Sequence, residues 1–138
     1  MTHDQTRAAI LAEVGRGDDG VQEAELLLSA GKLAGAVSRA YYGAFHYARA
    51  LLLTVGEEPR THGGLTRLLQ GNFVRSGKMA PEVAALLSRL MSFRQDADYT
   101  AEYVFTEAMV SAEVDGARAF VAAARAILVD GGWTAGSS

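Results

Sequence analysis

The densest group of potentially reactive side chains is FRQDADY, residues 93–99, which ends an apolar helical stretch. Metal-independent cleavage of RNA requires a base for the ribose hydroxyl proton, an acid for the leaving oxygen and a cation for the phosphorane charge. Arg94 suits the cationic role, because a guanidinium matches phosphate geometry. Tyrosine ordinarily has a pKa of about 10, so Tyr99 is a poor base but a usable acid or phosphate donor. Asp96 and Asp98 would repel phosphate unless they were neutralised.

The same stretch also has a purely structural interpretation. Arg94 and Asp98 lie four residues apart at a helix end, which is the spacing of an ion pair on one helix face. Tyr99 would then pack under the helical bundle. Two alternatives are therefore open. The stretch is either a catalytic site that includes Asp98 and Tyr99, or a structural ion pair.

A second group of candidates lies along the expected helix at about 32–55. Arg39, Tyr42, His46 and Arg49 fall within about a quarter turn of one another at 100° per residue. Two cations with an aromatic ring and a titratable ring would suit a cleft that binds RNA or a nucleotide. The same mixture is typical of a polar homodimer interface or a contact between helices, and the two interpretations are compatible if the cleft lies on a dimer axis.

His62 follows Thr61 and precedes Gly63 and Gly64, so it is expected beside a helix cap, and a displaced catalytic role for it is the minor alternative. The histidines and acidic residues form no metal-ligand motif, and the two glycines lack the rest of a phosphate-binding loop. We therefore predict neither a metal nor a cofactor.

Composition narrows the class of protein further. The 138 residues carry a formal net charge of −3, so any contact with RNA must come from a local patch. The absence of cysteine excludes disulfides and thiolate chemistry. The first residues lack a secretory signal, and the longest apolar run is too short to span a bilayer. These features predict a soluble, cytoplasmic protein without membrane association.

Helical periodicity with only two prolines predicts an all-α, up-and-down bundle of four to five helices in one domain. The expected helices cover about 5–14, 32–55, 62–73, 81 into FRQDADY, and 106–129. GRGDDG at 15–20 either breaks or bends the first helix, and Asp18 or Asp19 would cap a restart that continues to Ala30. Residues 1–17 are expected to form an extension, and residues 130–138 a flexible tail.

Three segments in order resemble the HEPN superfamily, in its single-domain branch of uncharacterised bacterial and archaeal proteins. They are SRAYYGAFHYARALLL at 38–53, THGGLTRLLQGNFVRSGK at 61–78 and FRQDADYTAEY at 93–103. The resemblance extends over about 21–129. It implies a four- or five-helix bundle that forms a homodimer, with its polar motif in a cleft between subunits.

The resemblance also implies a range of functions. Many members are metal-independent ribonucleases, often toxins of toxin–antitoxin or defence systems. Some pair with an MNT-type nucleotidyltransferase that adenylylates a tyrosine near the active motif, a role that would fall here on Tyr99 or Tyr103. The family's active motif is an Arg followed four to six residues later by a His.

This sequence departs from that motif. Arg94 matches the Arg, but no His follows it, and His3, His46 and His62 all lie upstream. The leading prediction is therefore a toxin–antitoxin or defence module that binds RNA or a nucleotide. The alternatives are a ribonuclease that uses Arg94 with Tyr99 or a displaced His, and a non-catalytic dimerisation protein.

Overall fold

The computed structural model describes residues 1–99 and 104–135, apart from the side chain of Tyr99. Within them the chain is all-α, as predicted, with five α-helices and one π-helical turn and without strands. The elements are α1 (His3–Ser29), α2 (Leu33–Leu53), α3 (His62–Leu69), the π turn (Gln70–Val74), α4 (Pro81–Tyr99) and α5 (Glu107–Asp130).

Helix α1 passes through GRGDDG without interruption, so of the two alternatives left open by the sequence, the break with a restart at Asp18 or Asp19 does not occur. Its buried residues recur at steps of three and four, which places two of the glycines on the face that packs against α2: Ile10, Glu13, Gly17, Gly20 and Ala24. A Cβ atom on Gly20 would lie 2.7 Å from the backbone nitrogen of Gly43 in α2. Glycine is therefore required at this crossing because the two backbones touch.

Asp18 does not cap a helix but lies within α1, where its side chain binds residues of two other helices. Its Oδ1 accepts hydrogen bonds from the hydroxyl of Tyr47 at 2.6 Å and from Arg125 Nη2 at 3.0 Å. Burial, together with the hydrogen bond to Asp18, raises the pKa of Tyr47 to about 12. This cluster joins α1, α2 and α5 on the side of α2 away from the pocket described below.

Helix α2 is the centre of the bundle. Its apolar face is buried, with Val37, Ala44 and Leu51 fully inaccessible to solvent. Side chains outside that face are buried as well, and of all residues in α2, each of which is described, Ala34 alone is exposed. Because α2 contacts α1, α3, α4 and α5, its polar residues also face other helices.

Local sequence signals account for the starts of three helices. Thr61 accepts a hydrogen bond from Gly64 N at 3.0 Å, Thr106 accepts one from Met109 N at 3.1 Å, and Pro81 begins α4. The predicted third helix is wrong in its last turn, because α3 ends at Leu69 and a π turn follows.

Beyond α5, the ring of Trp133 stacks on His3 with 4.8 Å between ring centroids. Residues 136–138, the rest of the predicted tail, lie outside the described residues, and the proposed division into extension, domain and tail stays a prediction.

Among the described residues, none of the helices combines the length and the hydrophobicity needed to cross a lipid bilayer.

Candidate functional site

A pocket of about 440 Å³ opens between α2, the start of α3 and the end of α4. Its volume falls in the range of small-molecule sites. It brings together candidates that the sequence presents in separate groups, and its lining consists of Ser38, Arg39, Tyr41, Tyr42, Phe45, His46, His62, Met91 and Arg94. Arg94 therefore shares one cavity with both internal histidines.

Arg94 reaches the pocket from α4. Its guanidinium carbon lies 5.3 Å from the centroid of the Tyr41 ring, within the range of a cation–π contact. Its Nε lies 3.4 Å from Asp98 Oδ2, which confirms the ion pair expected from their spacing. Both side chains are more than one-third exposed, so this pair holds Arg94 only weakly and leaves it able to bind an anion. The other two candidates here, the side chain of Tyr99 and Tyr103, lie outside the described residues.

His46 forms a hydrogen bond to a buried carboxylate of α1. Its Nδ1 lies 2.5 Å from Oε2 of Glu13, a residue only 6% exposed. The other carboxylate oxygen lies 3.5 Å from Arg49 Nε and 3.4 Å from Arg16 Nη1. Burial alone would raise the pKa of Glu13, but the hydrogen bond from His46 and the charges of Arg49 and Arg16 outweigh it and lower that pKa. Glu13 is therefore ionised at neutral pH.

His62 is the first residue of α3, directly after its cap, and both of its ring nitrogens have partners. Nδ1 lies 3.0 Å from the hydroxyl of Tyr41, and Nε2 lies 3.3 Å from Oγ1 of Thr66. Burial lowers the pKa of His62. Burial also raises the pKa of Tyr41, against the opposing effect of the Arg94 charge. At neutral pH the pocket thus contains a neutral imidazole bonded to a neutral phenol.

The polar stripe on α2 contacts α1, which confirms the interpretation as a contact between helices. Arg39 Nε lies 3.1 Å from Glu23 Oε2, close enough for an ion pair, although the two groups are not aligned for a hydrogen bond. The guanidinium of Arg39 also covers the ring of Tyr42 at 4.0 Å, and that ring meets His46 edge-on at 4.2 Å. Arg49 donates to the carbonyl oxygen of Pro59 at 3.1 Å and does not line the pocket. The predicted role of the stripe in dimerisation stays a prediction.

Two important residues of the site are absent from the sequence-based candidates. Tyr41 falls on the apolar face of α2, where an aromatic ring is expected in the core. Glu13 lies in the segment expected to be an extension, yet it follows Ile10 by three residues and precedes Gly17 by four. A charged residue at the helical spacing of buried positions requires a partner, and this spacing is the signal in the sequence that points to Glu13.

In the part of the chain that the structure describes, no three His, Asp or Glu side chains converge as a metal site would require.

This fold and site define a small helical protein with a pocket between helices that combines arginines, histidines and aromatic rings. The chain belongs to the HEPN domain family, whose sequence profile matches residues 14–128. The resemblance of the three sequence segments is thereby confirmed.

Comparison with curated proteins gives relatives in archaea and bacteria. A 60-residue segment is 48% identical to a UPF0332 protein of Pyrococcus horikoshii, and it covers 44% of this chain and 42% of that protein. The chain is 31% identical to a UPF0332 protein of Thermotoga maritima over 110 residues. This alignment covers 80% of this chain and 83% of that protein. Over 96 residues it is 31% identical to a Methanocaldococcus jannaschii protein named "Putative toxin", with 70% and 72% covered.

Proposed function

We propose that the protein is a toxin–antitoxin or defence module whose pocket binds one nucleotide unit of an RNA strand. The observation that carries this proposal is the position of two arginines and several aromatic rings around one cavity between α2, α3 and α4. The relative named as a toxin supports the biological setting.

The arginines would bind the phosphate. Arg39 and Arg94 come from different helices and reach the same cavity, so that a phosphate between them would be bound from two sides. Each already has an acidic partner, Glu23 and Asp98, but those ion pairs are partly exposed and are exchanged at low cost. The net charge of −3 makes this local positive patch necessary for any contact with RNA.

The aromatic residues would bind the base. Tyr42 and Phe45 line the pocket beside His46, and their faces provide stacking surfaces that accept any base. Stacking on an aromatic side chain contributes about 1–3 kcal/mol for each base. A cavity of about 440 Å³ matches one nucleotide better than a duplex.

Binding can be measured by fluorescence anisotropy with a labelled single-stranded RNA. Replacing Arg94 by Ala should weaken binding about tenfold or more, because a charged hydrogen bond to phosphate is lost. Arg75→Ala provides the matched control, since Arg75 is exposed, lies outside the pocket and changes the net charge equally. Equal losses in the two variants would refute the pocket as the binding site. Competition by a free mononucleotide distinguishes nucleotide binding from a requirement for a strand.

A ribonuclease is the second candidate, supported by His46, which contacts Glu13 and lines the cavity that contains Arg94. His46 would accept the proton of a ribose 2′-hydroxyl while the 2′-oxygen bonds to phosphorus. The bond from phosphorus to the 5′-oxygen would break, and that oxygen would take a proton from solvent water. The products are a 2′,3′-cyclic phosphate and a 5′-hydroxyl, and Arg94 would stabilise the charged intermediate.

Cleavage is tested by incubating labelled RNA with purified protein in the presence of a metal chelator. The ribonuclease interpretation requires cyclic phosphate ends from the wild type and a loss of about 100-fold or more in His46→Gln. Uncut RNA with unchanged binding would retain the binding function and exclude catalysis. Activity that survives equally in His46→Gln and Arg94→Ala would indicate a contaminating nuclease.

Regulation by an MNT-type nucleotidyltransferase and assembly as a homodimer are part of the same proposal and rest on the family resemblance. Co-expression with such an enzyme should add the mass of one adenylyl group, mapped by mass spectrometry to Tyr99 or Tyr103. An unmodified protein and no captured partner would count against this regulation without affecting the RNA-binding test.

A further inference from the structure

We propose that the pocket holds its two histidines, once they are uncharged, in opposite tautomers, so that His46 presents a free Nε2 lone pair to the ligand while His62 does not. Glu13 is the positioning residue for His46, and Thr66 is the positioning residue for His62. The tautomers are a property of the free protein, whereas their use in recognising a ribose hydroxyl rests on the proposed function.

The tautomer of His46 follows from the chemistry of its partner. An ionised carboxylate has no proton to donate, so the short contact between Glu13 Oε2 and His46 Nδ1 requires the proton to lie on Nδ1. A neutral imidazole carries a single ring proton, which leaves Nε2 as an acceptor. Among the described residues, Nε2 of His46 has no hydrogen-bond partner, and the ring lines the pocket.

The tautomer of His62 follows from a hydroxyl group that has already used its proton. Oγ1 of Thr66 donates to the carbonyl oxygen of His62 at 2.9 Å, so toward the ring the same oxygen can only accept. The proton of His62 therefore lies on Nε2, which faces Thr66 at 3.3 Å. Nδ1 then accepts the hydroxyl proton of Tyr41 at 3.0 Å, and both ring nitrogens are occupied.

Arg49 connects the two arrangements. It contacts the Glu13 carboxylate at 3.5 Å and donates to the carbonyl oxygen of Pro59, three residues before His62. The charge of Arg49 in α2 thus holds the Glu13 carboxylate of α1. The same arginine forms a hydrogen bond to the segment that precedes His62. Because Glu13 is almost fully buried, losing the His46 contact would leave its charge without a hydrogen bond from water, which is unfavourable.

The chemical consequence concerns the kind of nucleic acid recognised. An acceptor nitrogen in the pocket can bind a hydroxyl donor, and the ribose 2′-hydroxyl is the donor that distinguishes RNA from DNA. One neutral hydrogen bond changes affinity by about two- to tenfold. We therefore expect RNA to bind about two- to tenfold more tightly than DNA of the same sequence, and His46→Phe to remove this preference.

The tautomers are measured by ¹⁵N NMR on the full chain with labelled histidine, without RNA and at a pH well above neutrality. Protonated and unprotonated ring nitrogens give well separated shifts, and single substitutions to Gln assign the three rings. We expect a protonated Nδ1 with a bare Nε2 in His46 and the reverse in His62. His3, which is exposed, serves as the reference ring. The same tautomer in both rings, or a doubly protonated His46 at that pH, would overturn the proposal.

Two variants separate positioning from general destabilisation. Glu13→Gln should lower the Nδ1-protonated fraction of His46, because an amide can also donate to that nitrogen. Glu113→Gln is the matched control, since Glu113 is 5% exposed and bonded to Arg89 at 3.0 Å but lies outside the pocket. An unchanged His46 spectrum in Glu13→Gln would contradict the positioning role. Since the wild-type spectrum alone tests the assignment, an unstable variant does not prevent the test. The expected spectrum without any RNA binding would refute the proposed function and leave the tautomers established.

Discussion

At the scale of single residues, Glu13 is one of two buried carboxylates among the described residues, and it is the one that contacts the pocket. It is 6% exposed, and its hydrogen bond to His46 and the nearby arginines compensate for the solvation it has lost. A buried carboxylate of this kind does two things for the protein. It contributes stability only while it is ionised, and it determines which nitrogen of His46 is available to a ligand.

The stability contributed by Glu13 should depend on pH with a definite sign. Because folding lowers its pKa below the ordinary value of 4.5, the unfolded state binds more protons in acid. The contribution is therefore complete above pH 4.5 and disappears as the pH falls through the folded-state pKa. Glu13→Gln should cost about 1–3 kcal/mol at neutral pH, and its difference from wild type should shrink in acid. Urea unfolding at several pH values measures this difference, and a value that stays constant with pH would contradict the role of ionisation.

His62 adds a second acid-sensitive contribution at higher pH. Burial lowers its pKa below the ordinary value of 6.5, so its contribution is complete above pH 6.5 and is lost as the pH falls through its folded-state value. His62→Gln should therefore flatten the pH dependence of the urea midpoint just below pH 6.5, and an unchanged dependence in this variant would contradict the contribution of His62.

The residues of the site differ in how far sequence could predict them. The pair Arg94 and Asp98 follows from helical spacing alone, because both residues lie on one element. The contact of His46 with Glu13 spans 33 residues and depends on how two helices cross, which spacing along the chain does not encode. Tyr41 lies on the apolar face of α2 and is 6% exposed, yet it also lines the pocket, which its spacing along the helix does not reveal.

At the scale of elements, the α1–α2 crossing depends on glycines that local propensity would count as breakers. A Cβ on Gly43 would lie 2.9 Å from the carbonyl oxygen of Gly17, and one on Gly20 would meet the backbone of Gly43. Tertiary packing overrides helix propensity here, which is why GRGDDG does not break the helix as its glycines alone would favour. The caps at Thr61 and Thr106 were predictable because a cap requires only its own three following residues.

The crossing makes a prediction with an internal control. Gly20→Ala should destabilise the fold by about 1–3 kcal/mol, because the added methyl group meets backbone that cannot rotate away. Gly15→Ala, in the same helix, meets nothing within 4 Å and should stabilise by about 0.5–1 kcal/mol through helix propensity. Urea unfolding of both variants gives the two changes. Destabilisation of similar size at both positions would argue against a close crossing.

At the scale of the whole molecule, an acidic protein is proposed to bind a polyanion through a small basic site. The formal net charge is −3, while the pocket presents Arg39 and Arg94. Binding should therefore release few counterions. For single strands the logarithm of affinity falls with the logarithm of salt by about 0.7 for each phosphate contacted, so two contacts give a slope of roughly −1.4. A slope several times steeper in a salt titration would indicate a much larger surface than this pocket.

The oligomeric state bears on the same site, since the family resemblance predicts a homodimer with its polar motif between subunits. Sedimentation velocity at several protein concentrations tests this prediction. If a dimer forms through the pocket face, Arg94→Ala and Tyr42→Ala should weaken it, whereas Arg118→Ala on α5 should not.

The crossing of α1 and α2 also has an evolutionary consequence. Gly17 lies one helical turn after Glu13, and Gly43 lies about one turn before His46, so the spacing of the two backbones sets the distance between carboxylate and imidazole. A larger residue at position 17 or 43 would separate the helices and lengthen that hydrogen bond. In an alignment of relatives, we therefore expect positions 17, 20 and 43 to remain small wherever the acid and the histidine are both retained, and to diversify together where either is lost.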